Sequence, residues 1–197
     1  MSKGRLEAFS DGVLAIIITI MVLELKAPAG ASVDALVAVA PLFVSYLFSF
    51  VFIGIYWNNH HHLFQAARTV DGRVLWANLH LLFWLSLIPV TTHWMGHTKF
   101  AVWPVAAYGM VLFAAAVAYS VLVRLLLALH GNDSLLAKAI GADVKGNLSL
   151  LLYAVGIATA FYSPLIAFGV SLIVAVLWLL PDRRIERVLM EAPPESG

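Results

Sequence analysis

Long apolar segments alternate with short polar ones along this chain, and this pattern predicts a membrane protein. A segment of about 20 apolar residues is long enough to cross a bilayer as an α-helix. Pro, Gly and charged residues separate the segments and end each predicted helix. Six spans are predicted, at about residues 6–25, 35–64, 74–95, 101–128, 148–162 and 165–180. We expect an all-α, polytopic six-helix domain over residues 1–181, followed by a tail over residues 182–197.

Composition agrees with this fold class and excludes several kinds of chemistry. Hydrophobic residues make up 62% of the chain and charged residues 12%, whereas a soluble domain has about 25% charged residues. The chain has no Cys, which rules out disulfides, thiol nucleophiles and Cys-ligated metals. A net charge of +1 gives no indication of nucleic-acid binding. The first apolar segment lacks a small-x-small cleavage site, so we expect no cleavable signal peptide.

The loops predict the orientation in the membrane. With six spans, both termini lie on one side, and that side collects ten of the twelve Lys and Arg residues. They are Lys3, Arg5, Arg68, Arg73, Arg124, Lys138, Lys145, Arg183, Arg184 and Arg187. The opposite side has only Lys26 and Lys99. Because basic loops stay in the cytoplasm, we expect a multi-pass protein of the plasma membrane with both termini cytoplasmic.

Breaks within the pattern predict local features. Pro89 should kink the third span near its far end. The most polar internal stretch is 132–147, where Asn132 or Asp133 is a candidate cap of a short interfacial helix. Residues 183–191 read as a charged helical tail, and residues 192–197 as disordered.

Three groups of polar residues are predicted to lie at similar depth near the cytoplasmic side. The groups are Ser10 and Asp11 in the first span; Trp57, Asn58, Asn59, His60, His61 and His62 in the second; and Trp76, Asn78 and His80 in the third. Buried polar groups in a bilayer need hydrogen-bond partners. We therefore expect one hydrogen-bonded anchor network that joins the first three helices and includes Arg5.

The first span also carries a stripe that the network does not use. Ile16, Ile20 and Leu23 fall on one helix face, flanked by Thr19. Asp11 lies about 140° around the helix from Ile16, so the two side chains point in different directions. By default such a stripe faces lipid or another helix. The alternative is a pore in which identical stripes from several subunits form apolar rings that gate by dewetting. Thr19 would then offer a hydroxyl to a passing ion.

Several motifs resemble those of one known family, the transmembrane-protein-175 potassium channels. The match begins with Arg5-x-x-x-Phe9-Ser10-Asp11 at the start of the first span. It continues in Trp57-x-x-His60/His61-x-Leu63-Phe64, in Leu75-Trp76-x-Asn78 and in Leu87-Ile88-Pro89. The resemblance covers the first three spans well, whereas the later spans match only in number and hydrophobicity.

This resemblance implies a potassium-selective channel without a carbonyl-lined filter. The first helix would line the pore, with Ile16 as the constriction and Ile20 and Leu23 as further apolar rings. Thr19 would be the family's pore threonine. The signature residues Arg5, Phe9, Ser10 and Asp11 would anchor the helix through the second and third spans. A single set of six spans corresponds to the bacterial, homotetrameric members, so the implied partners are potassium ions, lipid and three further copies, with no cofactor.

Two other functions are weighed beside the channel. His61, His80 and Asp11 would serve an intramembrane metal-dependent enzyme if they met at one ion, although no His-Glu-x-x-His pair is present. A secondary transporter would use the same cluster, but transporters favour helices broken at the midplane. His93 and His97 are interpreted as interfacial residues near the outer surface.

Overall fold

The computed structural model describes residues 2–131, 134–141 and 143–179, and these residues form α-helices and connecting loops without a strand. The helices are α1 (Lys3–Leu23), α2 (Val33–Ala66), α3 (Gly72–Ser86), α4 (Ile88–His97), α5 (Val102–His130), α6 (Leu135–Ile140), α7 (Val144–Ala160) and α8 (Pro164–Leu179). The all-α fold class is confirmed. The predicted tail and the candidate caps Asn132 and Asp133 lie outside the described residues.

Four helical segments in the described chain are long and apolar enough to cross a membrane. They are α1, α2, α5 and the combined segment Gly72–His97. The last two apolar helices, α7 and α8, have 17 and 16 residues, which is shorter than a typical span of about 20. The expectation of six complete spans therefore stays a prediction.

The third predicted span is two helices that meet at Leu87. Pro89 is at the start of α4, where its missing N–H costs no hydrogen bond. Because proline has no N–H to donate to the preceding turn, α3 cannot continue through this position as one uninterrupted helix. The single helix over residues 74–95 is corrected to α3 and α4, and their interruption at Leu87 lies two residues before Pro89, where a kink was predicted.

Four helices begin with a side-chain cap, which explains where the loops end. Ser32 Oγ accepts a hydrogen bond from Ala35 N at 3.2 Å, and Asp71 Oδ1 accepts from Val74 N at 2.9 Å. Ser134 and Asp143 cap α6 and α7 in the same way. Each cap satisfies an N–H that the first helical turn leaves unpaired. The short helix expected in the polar stretch is therefore α6, and Ser134 is its cap.

Two pairs of successive helices, α1 with α2 and α7 with α8, run in opposite directions, as contacts between their ends show. Lys3 Nζ donates to the carbonyl oxygens of Phe64 and Ala67, both at 3.0 Å, so α1 begins where α2 ends. Trp178 Nε1 donates to Ser149 Oγ at 2.8 Å, which brings the end of α8 to the start of α7. The polar ends of the first three helices therefore meet at one level, as their sequence predicts.

The centre of the bundle contains buried hydroxyl groups that hydrogen-bond to one another. Ser49 Oγ lies 2.6 Å from Thr92 Oγ1 and 3.0 Å from the Tyr108 hydroxyl, which links α2, α4 and α5. Near this site α2 and α4 are in direct contact, because a Cβ on Gly96 would lie 2.7 Å from Leu42 Cα. These contacts hold α4 against α2. Leu87 separates α4 from α3.

Candidate functional site

The first helix has one face packed on its own subunit and one face that is open. Its buried residues are Leu6, Ser10, Leu14, Ile17 and Met21. Ile16 is 59% exposed and Leu23 is 75% exposed, and Ile20 lies on the same side. The helix is continuous from Lys3 to Leu23. The apolar stripe predicted from the sequence thus points away from the helices of the same chain.

The stripe extends toward the start of the helix through two signature residues. Phe9 and Arg5 precede Ile16 by seven and eleven positions, which places each within about 20° of it around the helix. Both side chains are exposed. In the described part of the chain, the Arg5 guanidinium makes no hydrogen bond or ion pair, and its expected place in the anchor network is not observed.

Ser10 and Asn78 form the centre of the anchor network. Asn78 Nδ2 donates to Ser10 Oγ at 2.9 Å, and His60 Nε2 donates to Asn78 Oδ1 at 2.8 Å. The Ser10 hydroxyl in turn donates to the Leu6 carbonyl oxygen at 2.9 Å. Ser10, His60 and Asn78 are all buried. The structure therefore joins α1, α2 and α3 through three of the residues that the sequence placed at one depth.

Asp11 is held by a different partner from those expected. Trp57 Nε1 donates to Asp11 Oδ1 at 3.1 Å, and the Trp57 ring stacks on His61 with centroids 6.1 Å apart. The sequence predicted one network containing Asp11, Asn78 and the histidines, whereas in the structure Asn78 binds Ser10 and Asp11 binds Trp57. Asp11 and Trp57 remain exposed at the end of the bundle.

The remaining polar residues of α2 and α3 do not converge on Asp11. His80 Nε2 accepts from Trp84 Nε1 at 2.9 Å within α3. His61, Trp76 and His80 are exposed. The residues through which α2 and α3 contact each other are His60 and Asn78, which are buried. Among the described residues, no three His, Asp or Glu side chains are arranged to hold a metal ion. The proposed cluster of His61, His80 and Asp11 is therefore not assembled.

Thr19 lies on the open face and uses only part of its hydrogen-bonding capacity. Its hydroxyl donates to the Ala15 carbonyl oxygen at 2.9 Å in the same helix. This bond consumes the hydroxyl hydrogen and leaves the oxygen lone pairs available. The exposed Thr19 oxygen can therefore act as a ligand for a cation but not as a second donor.

The sequence did not indicate the contacts that hold the two ends of α1. At its start, Lys3 binds the carbonyl oxygens at the end of α2, where the helix dipole favours a cation. At its end, Glu24 Oε2 lies 3.2 Å from His93 Nδ1 of α4, at ion-pair distance without hydrogen-bond geometry. His93 also stacks on His97, with ring centroids 5.7 Å apart. Single residues far apart in sequence carry no local signal for such contacts.

Comparison with known proteins identifies the family. A profile of the family described as "Endosomal/lysosomal potassium channel TMEM175" matches residues 5–89. A potassium channel of Chryseobacterium sp. is 56% identical to this chain over 97% of its length and all of the relative's. The chain belongs to the TMEM175 family. A potassium channel of Chamaesiphon minutus is 31% identical over 90% of this chain and 93% of the relative.

A solved TMEM175 structure has the same fold. The crystal structure of a lysosomal potassium-selective channel TMEM175 homolog from Chamaesiphon minutus matches with a TM-score of 0.78 and 30% identity. The match covers 90% of this chain and 96% of that one. The mouse endosomal/lysosomal proton channel TMEM175 is 34% identical over 46% of this chain and 20% of its own. TMEM175 proteins are ion channels and not enzymes, so the transporter and metal-dependent enzyme alternatives are set aside.

Proposed function

We propose that this TMEM175 protein conducts potassium ions through a pore lined by α1. The observation that carries the proposal is the open face of an unbroken α1, whose opposite face is fixed by the bond between Ser10 and Asn78. Relatives named potassium channels align with nearly the whole chain. An apolar stripe facing away from its own subunit needs either lipid or identical stripes to cover it.

The proposed assembly is a homotetramer with the open face of each α1 on the symmetry axis. Four copies of Ile16 form the narrowest ring, and Ile20 and Leu23 form wider apolar rings toward the outside. An isoleucine ring offers no oxygen to replace the hydration shell of an ion. Such a ring conducts only when it widens and fills with water. The closed cyclic symmetry places one identical residue from each subunit at every level.

Thr19 supplies the side-chain oxygen of this pore. Four Thr19 hydroxyls near the constriction point their lone pairs toward the axis, because their hydrogens are bonded to Ala15. The signature residues divide between two functions. Ser10 and Asp11 fix α1 within the subunit, and Arg5 and Phe9 lie in line with Ile16 toward the entrance.

The proposed location is the plasma membrane, with both termini and the Asp11–Trp57 contact on the cytoplasmic side. The ten-to-two distribution of Lys and Arg supports this orientation. Potassium is the permeant ion and lipid surrounds the outer helices. Conduction needs no bound cofactor.

Two measurements on the full chain test the proposal. Mass measurement of the detergent-solubilised protein should give four copies per particle. Potassium-loaded liposomes containing the protein should lose potassium down its gradient, and sodium-loaded liposomes should leak more slowly. A conducting monomer would contradict the assembly, and equal leak of the two cations would contradict the potassium preference.

A further inference from the structure

One imidazole ties the loop between α2 and α3 to the end of α5. His130 is the last residue of α5, and its Nε2 lies 2.9 Å from the Arg68 backbone N and 3.3 Å from the Thr69 backbone N. Its Nδ1 lies 2.8 Å from the carbonyl oxygen of Leu126, one turn earlier in α5. Both ring nitrogens are therefore engaged, and the ring joins two segments that are 62 positions apart in the sequence.

The partners of His130 allow only one form of its ring. A carbonyl oxygen can only accept, so Nδ1 carries the hydrogen, and backbone N–H groups can only donate, so Nε2 carries a lone pair. The ring is thus neutral. A second proton, on Nε2, would point one N–H at two others and abolish both bonds to the loop. Imidazole is the side chain whose charge changes between about pH 5 and pH 8, so mild acid can break this connection.

The peptide group between Ala67 and Arg68 connects the imidazole to α1. Its N–H donates to His130 at 2.9 Å, and its carbonyl oxygen accepts from Lys3 Nζ at 3.0 Å. The peptide group is planar, so its two ends move together. The ammonium group of Lys3 also polarises the carbonyl, which strengthens the N–H as a donor. Loss of the bond to His130 therefore weakens the bond that holds the start of α1.

The surroundings offer no carboxylate to hold a protonated ring in place. The charged and titratable residues near this loop, on the described elements that adjoin it, are Lys3, Arg5 and Glu7 of α1, His61 and His62 of α2, Arg68, Asp71 and Arg73 of the loop and α3, Arg124 of α5, Lys138 of α6, and Asp143 and Lys145 of α7. No ion pair joins the imidazole to a carboxylate in the described chain. The carboxylate of Asp71 already accepts from Arg73 Nε at 3.0 Å and from Val74 N at 2.9 Å.

We propose that His130 is a pH-sensitive latch on the α2–α3 loop. When neutral, it ties the peptide group of Ala67 and Arg68 to α5 and supports the bond from Lys3. When protonated, it releases the loop and loosens the start of α1. The consequence for conduction rests on the proposed function: in a pore lined by α1, acid on the side of the membrane that contains this loop changes the potassium flux.

Amide hydrogen exchange tests the latch without reference to conduction. The full chain in lipid nanodiscs is exchanged at about pH 8 and about pH 5, and single amides are resolved by mass spectrometry with fragmentation. After correction for the chemical exchange rate, the Arg68 and Thr69 amides should exchange about 2–10-fold faster at the lower pH, the value of one hydrogen bond. The Ala35 amide is the internal reference, because its acceptor is the Ser32 hydroxyl, which does not titrate.

Two variants of His130 fix the latch in each state. His130→Gln keeps an oxygen that can accept from the loop and does not titrate, so the Arg68 and Thr69 amides should stay protected at both pH values. His130→Lys carries a charge and no acceptor, so these amides should exchange rapidly at both. His97→Gln is the matched control, because His97 is an exposed histidine on α4 that does not contact the loop. It should keep the pH dependence of the parent.

The opposite results would overturn the latch. Protection of Arg68 and Thr69 that persists at about pH 5 in the parent, or that is lost in the same way in His130→Gln, would show that the charge of His130 does not control the loop. Potassium efflux from liposomes tests the consequence for conduction: acid should change it in the parent and not in His130→Gln. Equal responses would separate the latch from the pore. Absence of efflux at every pH would contradict the proposed function and leave the exchange result standing.

Discussion

Asn78 of α3 donates a 2.9 Å hydrogen bond to Ser10 of α1, 68 positions away in the sequence, and the bond lies in the first half of both helices. The same amide accepts from His60. One buried side chain thus connects the three helices that carry the family signature. The bond also sets the rotation of α1, because it turns Ser10 inward and leaves Ile16 outward.

Replacing Asn78 with Ala should destabilise the subunit. The substitution leaves His60 Nε2 without its acceptor and removes the hydrogen bond that Ser10 Oγ accepts, at about 1–3 kcal/mol for a buried group left unpaired. Thermal unfolding of the purified protein should show a lower midpoint and earlier loss of the oligomer. Asn58→Ala is the control, because Asn58 is an exposed amide on α2. An unchanged midpoint for Asn78→Ala would show that the bond does not hold α1.

Asp11→Ala should reduce assembly more than it changes conduction per assembled channel. The loss of the carboxylate leaves Trp57 Nε1 without its acceptor and removes one of the contacts between the start of α1 and α2. Trp57→Phe should have a similar effect, and the double variant should add little to either one. Oligomer yield by size exclusion measures this. Intact assembly with complete loss of flux would instead indicate a carboxylate that takes part in transport.

Ile16→Asn should raise cation leak and weaken ion selectivity. Polar side chains at the narrowest ring let water fill the pore, which removes the dewetting barrier. Reversal-potential and flux measurements check this. Val22→Asn is the appropriate control, because Val22 is exposed on another face of α1. Met21 lies off the proposed pore face but is only 2% exposed, so a substitution there would report on packing. A leak in Val22→Asn but not in Ile16→Asn would show that the pore face is assigned wrongly.

Thr19→Val should lower the preference for potassium while leaving a conducting pore. Valine has almost the shape of threonine but no oxygen, so the substitution removes the hydroxyl lone pairs together with the bond to Ala15. The measurement is the shift of the reversal potential between potassium and sodium solutions. Thr19→Ser keeps the oxygen and should behave like the parent. Selectivity that is equal in the Val and Ser variants would exclude the hydroxyl as a ligand.

Asp71 should make the start of α3 sensitive to acid. The Val74 N–H, followed by the Arg73 side chain, lowers the pKa of the Asp71 carboxyl below its usual value of 3.8. Since the pKa is lower in the folded state, this stabilisation is complete above the usual pKa and is lost as pH falls through the lowered one. Asp71→Asn should keep a cap without charge. The difference in unfolding midpoint between the parent and Asp71→Asn should therefore stay constant near neutral pH. Below about pH 4 the parent should lose the part of its stability that depends on the ionised carboxylate, and the difference should change.

The sequence was sufficient for the fold class and for the approximate positions of α1, α2 and α5. Apolar segments of membrane length have few alternatives to helices, because every backbone group must be paired within the segment. The common depth of Ser10, His60 and Asn78 followed from alternating helix directions. The resemblance to the family rested on short motifs in the first three spans, and the profile match over residues 5–89 covers the same part of the chain.

The sequence by itself determined which residues of α1 share a face and which polar residues lie at one level. Only the tertiary structure decided the partners: Ser10 with Asn78, Asp11 with Trp57, Glu24 with His93, and the outward direction of Arg5 and Phe9. Helical periodicity fixes the angle between two side chains of the same helix, whereas the rotation of that helix against its neighbours depends on packing from the whole bundle.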